Sequence, residues 1–359
     1  MNRPALAAAV LSFEAAFTTG DKMAEPNEHG SNTFTDLLTE RPYLVADGAM
    51  GTTLFSLGLE GGGCPEMLNI EQADLVEKVH RSFIEAGSDI ILTNTFGGNR
   101  LRLNLHQLGD RVAELNRAAV EVAQRAVAQA DRPVAIAGSV GPTGELFEPL
   151  GTLSYERGVE VFTEQCQALA EAGADVIWIE TISSFEELNA AVEAAASTGL
   201  PTAATLSFDT AGHTMMGIHP QAFGEWWVEH PGVAAIGANC GIGPGDAVAA
   251  AHAIWDITPD AATIAKANCG IPLYQSEGGL TYPIRPEGMA DYVELALRSG
   301  ARIVGACCGS TPDHIAAIRE AVDAFQFGAR PRLEEIQDRL DAYVRSESPA
   351  RTRREGRRR

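Results

Sequence analysis

Eight apolar runs of strand length, separated by amphipathic stretches of helix length, constrain this chain more than any other feature. The runs are LVADGAM (44–50), DIILTNTF (89–96), PVAIAGSVGP (133–142), DVIWIET (175–181), PTAATLSF (201–208), VAAIGANC (233–240), ATIAKANC (262–269) and RIVGACC (302–308). Between them, segments such as HQLGDRVAELNRAAVEVAQRAVAQA and YERGVEVFTEQCQALAEAG space their apolar residues three and four apart. That spacing marks a helix with one buried face. Strands that are apolar almost throughout belong to a sheet covered on both faces, hence a parallel sheet. Helix runs into strand through one recurring junction, EAGSDI, EAGADV and RSGARI. Its Gly suits a left-handed helix cap. Eight β-then-α units predict an α/β fold built as a single (β/α)8 TIM barrel. A doubly wound open sheet is the alternative, but DGAMGT after the first run is not a GxGxxG fingerprint.

The barrel is expected over 35–328, preceded by a leader at 1–34 and followed by a C-terminal helix and basic tail at 329–359. The opening MNRPALAAAVLSFEAAF resembles an export signal only faintly, since Glu14 interrupts it and no small-x-small cleavage site follows. No apolar run reaches the roughly 18 residues of a membrane span, so no membrane role is expected. The net charge is −21, and the tail RTRREGRRR holds six arginines against one glutamate, which leaves −26 on the rest. An acidic body lacks the basic face that nucleic acid needs. The six cysteines are Cys64, Cys166, Cys240, Cys269, Cys307 and Cys308. A chain of this length does not need disulfides to hold its core, so they read as reduced thiols in a cytoplasmic enzyme, where clustered cysteine means metal or catalysis.

In a barrel the chemistry gathers at the C-terminal ends of the strands. Those ends carry Asp47, Asn94-Thr95-Phe96, Gly141 to Glu145, Glu180-Thr181, Asp209, Asn239-Cys240, Asn268-Cys269 and Cys307-Cys308. The adjacent thiols Cys307 and Cys308 converge only if the backbone turns between them, and Gly309 permits that turn. With Cys240 they form a candidate three-thiolate zinc site with one open position. Small buried core thiols and a vicinal disulfide are the alternatives. A metal with an open position would take and ionise a substrate thiol. Asp47 and Glu180 suit an ammonium group, and the DGAMGT turn suits a carboxylate. The pattern describes a small amino acid that carries a thiol.

At these residues the chain resembles the homocysteine S-methyltransferase family, which includes betaine–homocysteine methyltransferase and the homocysteine module of cobalamin-dependent methionine synthase. The matching stretches are ADGAMGT (46–52), TNTFG (93–97), GSVGPTGE (138–145), IET (179–181), LSFD (206–209), GANCGIGP (237–244), KANCGIP (266–272) and GACCGSTPDHI (305–315). The resemblance implies a zinc-dependent enzyme that makes methionine from homocysteine. It implies Cys240, Cys307 and Cys308 as zinc ligands and Asp47 and Glu180 on the homocysteine amino group. It adds Ala49 and Met50 on the carboxylate, with Asn94 completing the substrate-binding set. The family's GGCCGT reads GACCGS here, and its Asn-Ala-Gly after strand seven reads Asn268-Cys269-Gly270, which puts a fourth thiol near the rim.

The methyl donor is expected to be either a small onium ion such as glycine betaine or a methyl-corrinoid on a partner protein. An onium ion wants an aromatic cage, for which Phe55, Phe96, Phe147, Tyr274, Tyr282 and the Trp226-Trp227 pair are the candidates. TNTFG and GPTGE stand closer to the methionine synthase module. A homo-oligomer is compatible with either donor. A homocysteine- or zinc-binding sensor without catalysis is the alternative function.

Overall fold

The computed structural model describes residues 32–59, 62–274 and 280–346. Most of the expected leader and the arginine-rich tail lie outside the described residues. The barrel strands are β1 (Leu44–Val45), β2 (Ile90–Leu92), β3 (Ala135–Val140), β4 (Val176–Ile182), β5 (Thr202–Leu206), β6 (Val233–Cys240), β7 (Ala262–Ala267) and β10 (Ala301–Ala306). A short hairpin, β8 (Leu273–Tyr274) and β9 (Leu280–Thr281), is inserted after β7. The eight barrel strands pair in parallel in the order β1-β10-β7-β6-β5-β4-β3-β2. Ala46 bridges Ile90 in parallel and brings β1 back to β2. All eight expected strands are present, and the architecture is a single TIM barrel.

The first strand is far shorter than its apolar run suggests. The chain leaves it at Asp47, because Gly48 passes so close to its neighbours that a β-carbon would sit 2.6 Å from both the Phe83 ring and Ser310 Oγ. Met50 then opens a short helix, α2 (Met50–Ser56), inside the first loop.

Helix α1 (Thr33–Glu40) starts two residues inside the stretch assigned to the leader. It buries Phe34 and Leu37 against the inward-facing Leu44, Ile90, Val176 and Ile303, closing the floor of the barrel. At the same end Arg302 donates to the carbonyls of Leu38 and Arg41, both at 2.8 Å. The outer helices lay one apolar stripe each on the sheet. In α11 (Met289–Arg298) the buried Tyr292 places its hydroxyl 2.6 Å from the Ala265 carbonyl and 2.9 Å from that of Gly305. The helix expected near the C-terminus is Leu333–Ser346, and it buries Ile336 and Leu340. Its Glu335 accepts from Arg298 at 3.0 Å. No described helix is long and apolar enough to cross a membrane.

The floor plug makes a checkable statement. Phe34→Ala leaves a cavity among fully buried aliphatic residues and is expected to lower unfolding stability by about 3–5 kcal/mol, read by urea denaturation.

Candidate metal and amino-acid site

Two backbone features bring the thiols together. The last residue of β6, Cys240, has φ +58°, and Gly241 follows at +75°. The left-handed conformation is costly for a residue with a β-carbon, and here it turns the thiol toward the barrel axis. At the end of β10, Cys307 and Cys308 leave the strand and Gly309 turns at φ +85°. Only glycine fits there, because the Tyr282 ring lies where a β-carbon would be, 2.1 Å from its Cγ. The Sγ atoms of Cys240, Cys307 and Cys308 all lie within 4.8 Å of one another, and Cys240 to Cys307 is 3.1 Å. Tetrahedral zinc with Zn–S near 2.3 Å holds its sulfurs about 3.8 Å apart, so the trio fits that ion. All six cysteines are free thiols. Cys269 is not part of the trio: its side chain is buried in the core cluster with Ile284, Met289 and Tyr292, while its N–H donates to the Cys308 carbonyl at 2.9 Å.

Two asparagines clamp this rim. Asn268, after β7, donates through Nδ2 to the Gly241 carbonyl at 2.8 Å and accepts the Cys308 N–H on Oδ1 at 2.9 Å. One side chain therefore spans the two thiol-bearing loops. Asn239, next to Cys240, accepts the Thr181 N–H at 2.8 Å and donates to Thr181 Oγ1 at 2.7 Å. Thr181 has φ +64°, a strained value for a β-branched residue. Ser310, in the departure from the family motif, donates its hydroxyl to the Cys307 carbonyl at 2.9 Å and accepts the Ala49 N–H at 2.9 Å.

The thiols open into a cavity of about 360 Å³ whose lining includes Asp47, Met50, Asn94, Ser139, Glu180 and Lys266. Asp47 is 1% exposed. Its Oδ2 accepts the Leu92 N–H at 2.8 Å, and its Oδ1 has no hydrogen-bond donor, only the Lys266 Nζ at 3.4 Å. Glu180 accepts from Ser139 Oγ at 2.6 Å. Burial pushes the Asp47 carboxyl up to about 6 and that of Glu180 up to about 7, with Lys266 pulling both back down. Burial works against the Lys266 ammonium, but Asp47, Cys307 and Glu180 together hold its pKa above the ordinary lysine value. Among the thiols, Cys308 is pushed well down because Cys240 and Cys307 donate to it, while Cys240 is pushed up.

The structure thus brings Asp47, Glu180 and the three thiols into one cavity. The other expected positions have narrower roles. The Ala49 N–H is engaged by Ser310, whereas Met50 opens α2, where backbone N–H groups have no intrahelical acceptor. Asn94 lines the cavity but spends its amide on the Pro65 carbonyl at 2.7 Å and Asn69 Oδ1 at 3.2 Å, which pins the loop before α3 (Leu68–Glu71). Asp209 falls in a second cavity with Glu145 and Met215. The aromatic candidates divide: Phe55 and Phe96 line the cavity and the Tyr282 ring packs against Gly309 beside the thiols, whereas three others are engaged elsewhere. Trp226 Nε1 donates to Asn189 Oδ1, Trp227 Nε1 donates to the Val233 carbonyl at the start of β6, and Phe147 is buried in the second cavity's wall. The Tyr274 side chain lies outside the described residues. Sequence reasoning missed Lys266, Ser139 and the clamping roles of Asn239 and Asn268. A lysine inside the apolar run ATIAKA was the one visible sign.

The (β/α)8 barrel carries at its rim three thiols spaced as metal ligands can be and two buried carboxylates. The homocysteine S-methyltransferase family profile matches residues 44–322, and the chain belongs to that family. It is 31% identical over 337 residues to a methionine synthase of Mycobacterium leprae and 32% identical over 310 residues to that of Mycobacterium tuberculosis. Those alignments take in 87% and 80% of this chain but 27% and 25% of the relatives, so the chain spans about a quarter of their length. Among solved structures, the metallated form of the homocysteine methyltransferase MmuM from Escherichia coli matches with a TM-score of 0.68 and 25% identity, covering 80% of this chain and 99% of that one. The oxidized form of the same enzyme matches with a TM-score of 0.63 and 26% identity, covering 81% and 99%.

The trio's electrostatics predict its reactivity. In chelator-treated protein at pH 6, iodoacetamide is expected to label Cys308 first. Burial pushes Cys166 and Cys269 up to about 12, so they should stay protonated and unlabelled. Peptide mass spectrometry reads the order, and equal labelling of all six thiols contradicts it.

Proposed function

We propose that this chain is a zinc-dependent homocysteine S-methyltransferase that makes methionine, with Cys240, Cys307 and Cys308 as the metal ligands. What carries the reading is the convergence of three thiols and two buried carboxylates on one cavity in a chain of this family. Zinc held there would supply the Lewis acidity that keeps a bound substrate thiol ionised near neutral pH. Asp47 and Glu180 receive the substrate ammonium, and Met50 at the opening of α2 offers its N–H to the substrate carboxylate. Held at both ends, the substrate has its sulfur fixed for in-line attack on the methyl carbon. A sulfur–methyl bond forms, and the bond from methyl to donor breaks with its electrons left on the donor.

For the donor we propose a methyl-corrinoid carried on a partner. The loops that follow the strands expose Phe55, Phe96, Leu146, Leu150, Met215 and Ile271. Scattered exposed apolar residues mean little, but several on the loops at one end of the barrel suit a docking surface. The relatives named methionine synthase support this choice, as does the failure of Trp226, Trp227 and Phe147 to face the cavity. A small onium donor is the second reading, favoured by Phe55 and Phe96 as aromatic residues lining the cavity.

Methionine formation by zinc-loaded protein, homocysteine and each donor in turn separates these readings. Methylcobalamin is expected to support turnover, and glycine betaine, dimethylsulfoniopropionate and S-methylmethionine are not. Turnover with an onium donor alone overturns the corrinoid assignment. Tight homocysteine binding with no turnover from any donor or carrier favours a sensor. Cys308→Ala is expected to lose zinc and activity with its circular dichroism intact, and a full equivalent of zinc in that variant contradicts the ligand assignment. Glu180→Ala is expected to weaken homocysteine binding by about 10- to 100-fold, the worth of a hydrogen bond to a charged group, with zinc content unchanged.

A further inference from the structure

We infer that Lys266 is a positioning residue that sets substrate specificity: it is the internal counter-ion that leaves the cavity one uncompensated negative charge, the complement of one α-ammonium group. The inference rests on the reading above that the cavity takes homocysteine.

Placement comes first. Lys266 sits on β7 in register with Asn239 of β6 and Gly305 of β10. Residues in register on neighbouring strands point to the same face, and Asn239 bonds Thr181 at the rim. Gly305 has no side chain and sits against Ala46, where a β-carbon would meet the Ala46 carbonyl oxygen at 2.9 Å. The lysine therefore rises on the inner face beside a bare backbone and reaches Asp47, with only 4% of its side chain and 1% of the aspartate's exposed.

Charge balance follows. Two carboxylates, Asp47 and Glu180, face the inner cavity, and Lys266 is the buried cation among the residues lining it. Glu66, on the outer wall, is already engaged by the Gly97 N–H at 2.7 Å and the Cys64 thiol at 3.2 Å. Two carboxylates in a dry cavity do not both stay charged without a cation, and an unpaired buried charge is costly. The lysine balances one of them. At 3.4 Å its contact with Asp47 is loose, and Asp47 Oδ1 keeps room for a true hydrogen-bond donor. An amino acid ammonium supplies that donor and the missing charge together. A thiol acid without the amine supplies neither and leaves the site unsatisfied, which is how polar sites reject analogues.

The test compares zinc-loaded wild type, Lys266→Met and Lys266→Arg by calorimetric titration with homocysteine and with 4-mercaptobutanoate, which lacks only the amine. Zinc content and circular dichroism are checked for each variant. Wild type is expected to prefer homocysteine. Lys266→Met is expected to lose about 10-fold or more in homocysteine affinity, the worth of a charge-assisted contact, and most of the preference over mercaptobutanoate. Lys266→Arg is expected to keep the preference. Tighter homocysteine binding by Lys266→Met overturns the inference, because the lysine would then be competing for the ammonium position. Equal loss of both ligands also overturns it, as does loss of preference in a folded, zinc-replete Lys266→Arg. A wild type with no preference for homocysteine overturns the homocysteine reading itself, and the inference with it.

Discussion

The seam between β1 and β2 is the constraint on which the rest depends. A parallel barrel has to close, yet β1 is only two residues long and meets β2 through one bridge. Aspartate side chains extend the ladder at both ends. Asp89 sends its N–H to the Val45 carbonyl at 2.6 Å and accepts the Val45 N–H on Oδ2 at 2.8 Å. Asp47 sends its N–H to the Ile90 carbonyl at 2.9 Å and accepts the Leu92 N–H on Oδ2 at 2.8 Å. In each, one carboxylate oxygen takes a backbone donor that a longer strand would have paired, while the other oxygen of Asp89 accepts from Arg41 at 2.5 Å and that of Asp47 has no donor. Asp47 closes the barrel with one oxygen and faces the cavity with the other, so closure and the proposed substrate recognition share one side chain.

The same economy holds elsewhere on this rim. Asn268 bonds both thiol-bearing loops, and Asn239 holds Thr181 in a strained conformation directly after Glu180. Left-handed Cys240 and Thr181 persist because these amides over-determine them, the usual condition for strain at a functional site. The three thiols are thus set by backbone turns and by asparagine clamps on their loops. The two buried carboxylates are set by burial and by one lysine.

This division explains what could be read before the structure. Strand positions were legible because parallel strands are apolar on both faces, and all eight runs became strands. The thiol trio was legible because cysteine is scarce and the residues cluster at two strand ends. The extent of β1 was not, since LVADGAM carries no sign that Gly48 is packed against Phe83 and Ser310. The asparagine clamps were invisible because each works across strands far apart in sequence. Lys266 was passed over because one lysine in an apolar run reads as a rim residue until its partner is known. The tryptophans among the aromatic candidates lie elsewhere for a related reason. Composition shows that tryptophans exist, not that Trp226 and Trp227 turn their N–H groups to Asn189 and Val233.

Charge shows why the site belongs inside such an acidic protein. Over the surface, a net −21 is screened by salt and solvent. Inside the cavity screening is weak, and local balance decides what enters. Three thiols, two carboxylates and one ammonium form a set in which the cation is fixed by the fold and the anions outnumber it. On the proposed function, a zwitterionic thiol amino acid would bring the cation that completes this set and the thiol that completes a metal site. Both requirements fall on the same small molecule, and each half of the site alone would accept many others.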